Sequence, residues 1–243
     1  ASAPATGGSG TWTSNLPGVI FKPNTNALNP IVVAPSYGAV RFYWTITYPA
    51  CTLVDSVDVD FVEQPIASAG IDDSICGVNY TLAADYSITS ASNSGTWSSS
   101  TPSDVFSTPT SPNSDVTVTT YGFHKLVWTE DNGPCADTDT LAIFFSQIPT
   151  PNAGRDTAVC GQDYTLAAIA SVGNGSWTDN SGGTITYTPD NLNAGAAVSA
   201  SVFGYGPVDF TWTEDNNGCI VSDVVNVNFV QQPNTFAGTD DST

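Results

Sequence analysis

Tyr121-Gly122-Phe123-His124-Lys125-Leu126-Val127-Trp128-Thr129-Glu130-Asp131-Asn132-Gly133-Pro134-Cys135 carries the alternation and the turn that point to a β-hairpin. Alternate positions up to Trp128 are apolar or ring-bearing, the period of a strand with one face on a core. The same frame recurs without gaps. Tyr37-Gly38 leads to Trp44-Thr45 and Cys51, and Tyr205-Gly206 leads to Trp212-Thr213 and Cys219. Tyr to Trp is 7 residues and Trp to Cys is 7 in every copy, and successive copies lie 84 residues apart. After each Cys a second alternating run follows, with Val57, Val59 and Phe61, then Leu141, Ile143 and Phe145, then Val225, Val227 and Phe229 on one parity. Between the two runs, Glu130-Asp131-Asn132-Gly133 and Glu214-Asp215-Asn216-Asn217-Gly218 read as polar hairpin turns of several residues.

The repeat extends beyond this hairpin. Ala69-Gly70, Ala153-Gly154 and Ala237-Gly238 each follow a Cys by eighteen residues, with Asp72, Asp156 and Asp240 two beyond the Gly. Cys76-Gly77 and Cys160-Gly161 come next, and a Gly-(Thr/Ser)-Trp triplet ends at Trp12, Trp97 and Trp177. No segment holds a helical period. The expected fold is all-β: tandem antiparallel β-sandwiches of roughly seven strands and 84 residues each, with one disulfide per repeat. The expected divisions are 1–67 for a repeat lacking its first strands, 68–151, 152–235, and 236–243 as the start of a fourth. Short linkers with Pro65, Pro149 and Pro233 should make the array semi-rigid. Tyr37, Tyr121 and Tyr205 are placed like the tyrosine of a tyrosine corner.

The 243 residues carry 4 Lys plus Arg against 23 Asp plus Glu, a formal charge of −19. That balance excludes nucleic acid as a partner and disfavours anionic membrane surfaces. No apolar run reaches the length of a membrane-spanning helix, and no signal peptide is visible. The chain has no Met, which fits an interior or processed piece of a longer array.

Five cysteines make an odd count. No Cys-x-x-Cys pair exists, so a metal site is disfavoured, and free buried thiols are the plain alternative to disulfides. Cys76 to Cys135 and Cys160 to Cys219 are both 59 residues apart, and the expectation is one disulfide across each interval. Cys51 is then a half-pair whose partner would precede residue 1.

His124, the one imidazole, fills the slot held by Val40 and Val208 and reads as a histidine at a core edge. The three Glu, at 63, 130 and 214, do not make a glycosidase-like carboxylate pair, and the chain is expected not to be an enzyme. Calcium is the remaining cofactor candidate. If the entering chain and the hairpin tip share one pole, Asp72 and Asp73 meet Glu130, Asp131 and Asn132. Asp156, Glu214, Asp215 and Asn216 would meet likewise in the next repeat, where Arg155 is a counter-charge. Tyr43, Tyr48 and Phe144 are the candidate aromatics for a sugar platform, and they do not recur between repeats.

The pattern Ala-Gly-x-Asp-x3-Cys-Gly, then Gly-(Thr/Ser)-Trp, then Tyr-Gly-x5-Trp-Thr-x5-Cys resembles the PKD-like and immunoglobulin-like repeats of very large secreted Bacteroidota proteins. Many of these are gliding-motility-associated and leave the cell by type IX secretion. The resemblance implies an immunoglobulin-like fold and an extracellular, cell-surface location. It also makes Ser56, Ser74, Thr140 and Thr157, each after an Asp, candidates for O-glycosylation, with Asp241-Ser242-Thr243 a looser match. The function expected is a stalk or filament segment of a surface adhesin. A carbohydrate- or protein-binding module and a spacer in a secreted hydrolase are the alternatives. Its partners would be neighbouring repeats, with surface glycans or self-association as further candidates and no membrane insertion.

Overall fold

The computed structural model describes residues 1–89, 93–236 and 238. Every regular element among them is a strand. The first stretch holds β1 (Ser9–Ser14), β2 (Ile20–Lys22), β3 (Ile31–Val33), β4 (Gly38–Tyr48) and β5 (Cys51–Phe61). The second holds β6 (Asp73–Cys76), β7 (Asn79–Thr81), β8 (Asn93–Ser99), β9 (Val105–Phe106), β10 (Asp115–Thr117), β11 (Gly122–Asn132) and β12 (Cys135–Ser146). The third repeats that order as β13 (Thr157–Cys160), β14 (Asp163–Thr165), β15 (Asn174–Asp179), β16 (Thr186–Thr188), β17 (Ala197–Ser199), β18 (Gly206–Asn216) and β19 (Cys219–Val230).

The second and third stretches each form a four-stranded sheet, β6-β12-β11-β8 or β13-β19-β18-β15, and a three-stranded one, β7-β10-β9 or β14-β17-β16. Pairing is antiparallel except at one edge, where β6 runs parallel to β12 and β13 parallel to β19. The first stretch has only β1-β4-β5 and β2-β3.

Two separate cores result. One gathers Leu82, Trp97, Leu126, Trp128, Leu141 and Ile143, and the other Leu166, Trp177, Phe210, Trp212, Val227 and Phe229. The alternating slots read from the sequence are the buried ones in both. In the first stretch Val40, Phe42 and Trp44 are buried, but Val57 is 48% and Val59 37% exposed, against 2% and 0% for Leu141 and Ile143. In the second core the matching residues are covered by Ala69, Leu82 and Ala84, from the segment around β6 and β7.

The Gly-(Thr/Ser)-Trp triplet has a packing cause. Trp97 stands opposite Trp128 across the β8–β11 pair and Trp177 opposite Trp212. Their ring centroids lie 5.2 and 5.1 Å apart. The six-membered ring of Trp128 lies over Gly95, where a Cβ would come within 2.0 Å of Cζ2; at Gly175 the figure is 1.9 Å, against Trp212. Gly95→Ala or Gly175→Ala must displace a fully buried indole, at a cost of about 2–3 kcal/mol. A urea melt should show the loss, and a melt superimposable on the parent's would mean that the indole has another seat.

Tyr37, Tyr121 and Tyr205 are about half exposed, at 61%, 49% and 47%, so they are not buried corner tyrosines. What recurs there is the glycine after each one. Gly38, Gly122 and Gly206 hold φ of 114°, 117° and 131° as the chain enters its long strand, a region that side chains disfavour.

Candidate functional site: the junction between modules

The hairpin turns are shorter than the sequence indicated. β11 continues through Glu130 and Asp131 to Asn132, which pairs with Cys135, leaving Gly133-Pro134 as a two-residue turn. In the third stretch Asn216 pairs with Cys219 around Asn217-Gly218, both with positive φ. Strand parity therefore carries on inward past Trp128 and Trp212, and the next inward residues are Glu130 and Glu214. They are 0% and 1% exposed, not at solvent-facing tips.

Each buried carboxylate is spent on the loop that follows the linker. Glu130 accepts hydrogen bonds from the Ser87 amide and hydroxyl, from the Ile88 amide and from Asn93 Nδ2. Glu214 accepts from the Ser171 amide and hydroxyl, the Val172 amide and Trp212 Nε1. Burial pushes the Glu214 carboxyl up, and bonds from Ser171, Trp212 and Val172 push it down. The bonds win, so it ionises below its ordinary value of 4.5. The same serines reach the linkers: Ser87 Oγ accepts from the Ile66 amide and Ser171 Oγ from the Thr150 amide, both at 2.8 Å. Linker, serine and buried glutamate thus form one chain of hydrogen bonds, repeated at an 84-residue interval.

The hairpin end also grips the module before it. Asn132 Nδ2 donates to the Glu63 carbonyl at 2.9 Å, and its counterpart Asn216 Nδ2 to the Gln147 carbonyl at 2.8 Å. Gln64 Nε2 donates to the Ala136 carbonyl. Asp139 and Asp223 accept from the amides of Ala69 and Ala153, fixing the Ala-Gly entry of each module. The Asp of Ala-Gly-x-Asp accepts from the last strand: Asp72 from the Ala142 amide, Asp156 from the Asn226 amide.

A covalent bond completes the second junction. Cys76 is joined to Cys219, and Cys51, Cys135 and Cys160 are free thiols. The expected pairs Cys76–Cys135 and Cys160–Cys219 are not formed, for a geometric reason. Because β6 is parallel to β12, Cys76 lies opposite Ser146, at the far end of the strand that Cys135 begins. Eleven residues of strand put the two about 36 Å apart. Cys160 lies opposite Val230, equally far from Cys219 along β19. The far end of β12 meets the hairpin of the next module, and there Cys76 finds Cys219.

The same parallel strand corrects the calcium expectation. Asp73 pairs with Ile143, whereas Glu130 pairs with Asp137 and Asp131 with Ala136. Five or six residues of β12, about 17–20 Å, separate Asp72 and Asp73 from the glutamate. Asp156, Glu214 and Asp215 are split in the same way, with Asp156 near Asn226 and Asp215 accepting from the Gly218 amide. No group of three or more candidate ligands is present among the described residues. The carboxylates act instead as acceptors for backbone amides.

His124 is buried as the sequence indicated, with Nδ1 2.9 Å from Asp104 Oδ2 and Nε2 3.0 Å from the Thr120 carbonyl. Ser99 Oγ donates to the same Asp104 oxygen, not to the imidazole, so the three do not form a nucleophile–base pair. Of the glycosylation candidates, Ser56, Ser74 and Thr140 are exposed and Thr157 is half-buried. In the first three the preceding Asp accepts from the Ser or Thr amide. Residues 241–243, and all of the 236–243 segment but Phe236 and Gly238, lie outside the described residues. Tyr48 and Phe144 are engaged elsewhere: Tyr48 Oη accepts from the Ala5 amide and Phe144 packs on Phe123. Sequence reasoning missed Ser87 and Ser171, though both stand at the same place in their repeats.

No family model and no curated protein matches the sequence. Among solved structures the chain is similar to the I-band fragment I67–I69 from titin, at 10% identity and a TM-score of 0.52, with 94% of this chain and 89% of that one covered. Extracellular domains 3–5 of Drosophila OTK align at 10% identity and a TM-score of 0.47, covering 92% and 85%. At such identity the titin likeness concerns fold. The chain is all-β, with immunoglobulin-like sandwiches in series.

Proposed function

We propose that this chain is a load-bearing spacer of an extracellular surface protein. Its modules are 1–67, 68–151 and 152–235, with 236–243 opening a fourth, and each is fastened to its neighbours so that the series holds a distal part away from the cell. The observation that carries this reading is the Cys76–Cys219 bond across a junction already held by Asn216 and by the linker–serine–glutamate chain. A disulfide of this kind persists outside reducing compartments. The sequence signature supports the finer reading, an adhesin of the gliding-associated type with Ser56, Ser74, Thr140 and Thr157 as glycan acceptors.

The bond also reroutes force. A pull between the two ends passes from Cys76 straight to Cys219 and bypasses the 143-residue interval between them. Single-molecule extension of the oxidised chain should therefore show no lengthening from that interval. Reduction should release about 500 Å, at about 3.5 Å per residue. If the oxidised chain already releases that length, the load-bearing reading fails.

A further inference from the structure

The junction between the second and third modules carries a cleft of about 330 Å³. One wall includes Tyr121, Phe144, Ser146 and Gln147 of the second module. The other includes Asn216 and Asn217 at the hairpin of the third, with Val172 beside them. Phe144 and Ser146 alternate along β12 with Phe145, which faces the core, so both lie on the outer face of the sheet. Two ties hold the walls together. Asn216 Nδ2 donates to the Gln147 carbonyl, and the Cys76–Cys219 bond joins the residue opposite Ser146 to the one that pairs with Asn216. The cleft is thus formed before any ligand arrives, which spares the cost of ordering it.

The side chains of this lining are not explained by the repeat. Ser146 is 2% exposed, and its hydroxyl has no hydrogen-bond partner among the described residues. The matching slots hold Val62 and Val230, so the frame accepts an aliphatic side chain there, and a bare buried hydroxyl is costly by comparison. Phe144 stands where the other modules have Asp60 and Asn228. Across the β11–β12 pair Phe123 packs on it, with ring centroids 4.7 Å apart and planes at 63°. That contact braces the Phe144 ring without closing it off from the cleft, and Phe123 itself is 77% exposed. The Gln147 side-chain amide and the Tyr121 hydroxyl carry no hydrogen bond among the described residues. Asn217 uses its Nδ2 on Asn216 Oδ1 and keeps its own Oδ1 free.

We propose that this cleft binds a pyranose ring of a neutral glycan. A sugar ring has a face of C–H groups, which lies on the electron-rich face of an aromatic ring. Its rim of hydroxyls, each both donor and acceptor, pairs with amides and hydroxyls. The lining supplies both kinds of partner: Phe144 for the face, and Gln147, Asn217, Tyr121 and Ser146 for the rim. None of the lining residues is charged, and the chain as a whole carries −19, so the site selects against an acidic sugar. The volume sits at the low end for small-molecule sites, which suits a short saccharide and not a larger ligand. The site occurs at this junction and not at the one before it, where Asp60, Val62 and Glu63 replace Phe144, Ser146 and Gln147. This goes beyond the spacer reading: the same strut grips a glycan on its flank.

The test is a titration of the whole, isotope-labelled, oxidised chain with maltohexaose, cellohexaose and mannohexaose, followed by heteronuclear NMR. Oligoguluronate is the acidic control. The side-chain amide signals of Gln147 and Asn217 should shift with a neutral hexaose, at a Kd of about 1 mM for one ring in an open cleft. Phe144→Asn and Ser146→Val install residues that the other modules carry at the same slots, so both variants should fold. Phe144→Asn should weaken binding about 10-fold or more, and Ser146→Val about 5-fold while melting no lower than the parent. If one variant melts early, the other carries the comparison. The proposal is overturned if no neutral hexaose moves the Gln147 and Asn217 signals at about 20 mM, well above the expected Kd. It is equally overturned if both variants bind like the parent, or if oligoguluronate binds as tightly. Binding of an apolar dye there with no response to any sugar would mark a merely apolar patch and overturn it too. Because the extension experiment reads only the interval between Cys76 and Cys219, either result can fail without the other.

Discussion

Cys219→Ser should lower the melting temperature of the second and third modules by about 15–40 °C, and Cys76→Ser should do the same. The bond closes an interval of 143 residues. On the chain-entropy model a loop of that length is worth about 5 kcal/mol, and about 4 if one module opens while the other stays folded. For modules of this size each kcal/mol moves the midpoint by roughly 4–8 °C. The double variant should melt with the singles, since each single already breaks the bond. Cys135→Ser and Cys160→Ser discriminate most sharply. With Cys76 bonded to Cys219 both are silent, whereas bonds confined within modules would make them as damaging as the others. Calorimetry on the four single variants, with peptide mapping under non-reducing conditions, distinguishes the two arrangements. Equal losses in all four would overturn the junction bond.

Why the sequence led to the wrong partners follows from its own regularity. When modules repeat every 84 residues, intervals of 59 and 143 differ by one whole module and describe the same pair of positions in the repeat. The pattern names which two positions pair; it does not say whether they belong to one module or to adjacent ones. What decides is the direction of β6, and a parallel edge strand of four residues leaves no mark in hydrophobic period. The alternating runs were legible because Val208, Phe210 and Trp212 face one core and nothing else explains their spacing. The same parity, continued by two residues, would have placed Glu214 inside. A carboxylate next to Asp and Asn reads as a turn, since charge in a strand's inward slot is costly unless its partners are known. Those partners, Ser171 and Val172, lie 43 and 42 residues away and have no local signature.

Glu214→Ala should destabilise the third module by about 2–6 kcal/mol, enough to unfold a module of marginal stability. The carboxylate is 1% exposed and satisfies three kinds of donor: the amides of Ser171 and Val172, the Ser171 hydroxyl, and Trp212 Nε1. Removing it leaves buried Trp212 Nε1 and the half-buried Val172 amide without an acceptor, each at about 1–3 kcal/mol, while exposed Ser171 turns to water. The Ser171 hydroxyl also loses the partner that orients it toward the Thr150 amide, so the linker should loosen with the core. Glu214→Gln separates charge from shape. It keeps one acceptor oxygen and turns an NH2 group toward amides that need an acceptor, so about half the loss is expected. It also removes a proton linkage. The native carboxyl ionises below its ordinary value of 4.5, so its contribution is full at neutral pH and fades as acid protonates it. The parent should therefore lose stability below about pH 4.5, while the Gln variant, weaker at pH 7, loses less over that range and approaches the parent. Urea midpoints at pH 7 and pH 3 supply the comparison. If the gap between parent and Gln variant fails to narrow in acid, the buried carboxylate is not what holds the linker to the module.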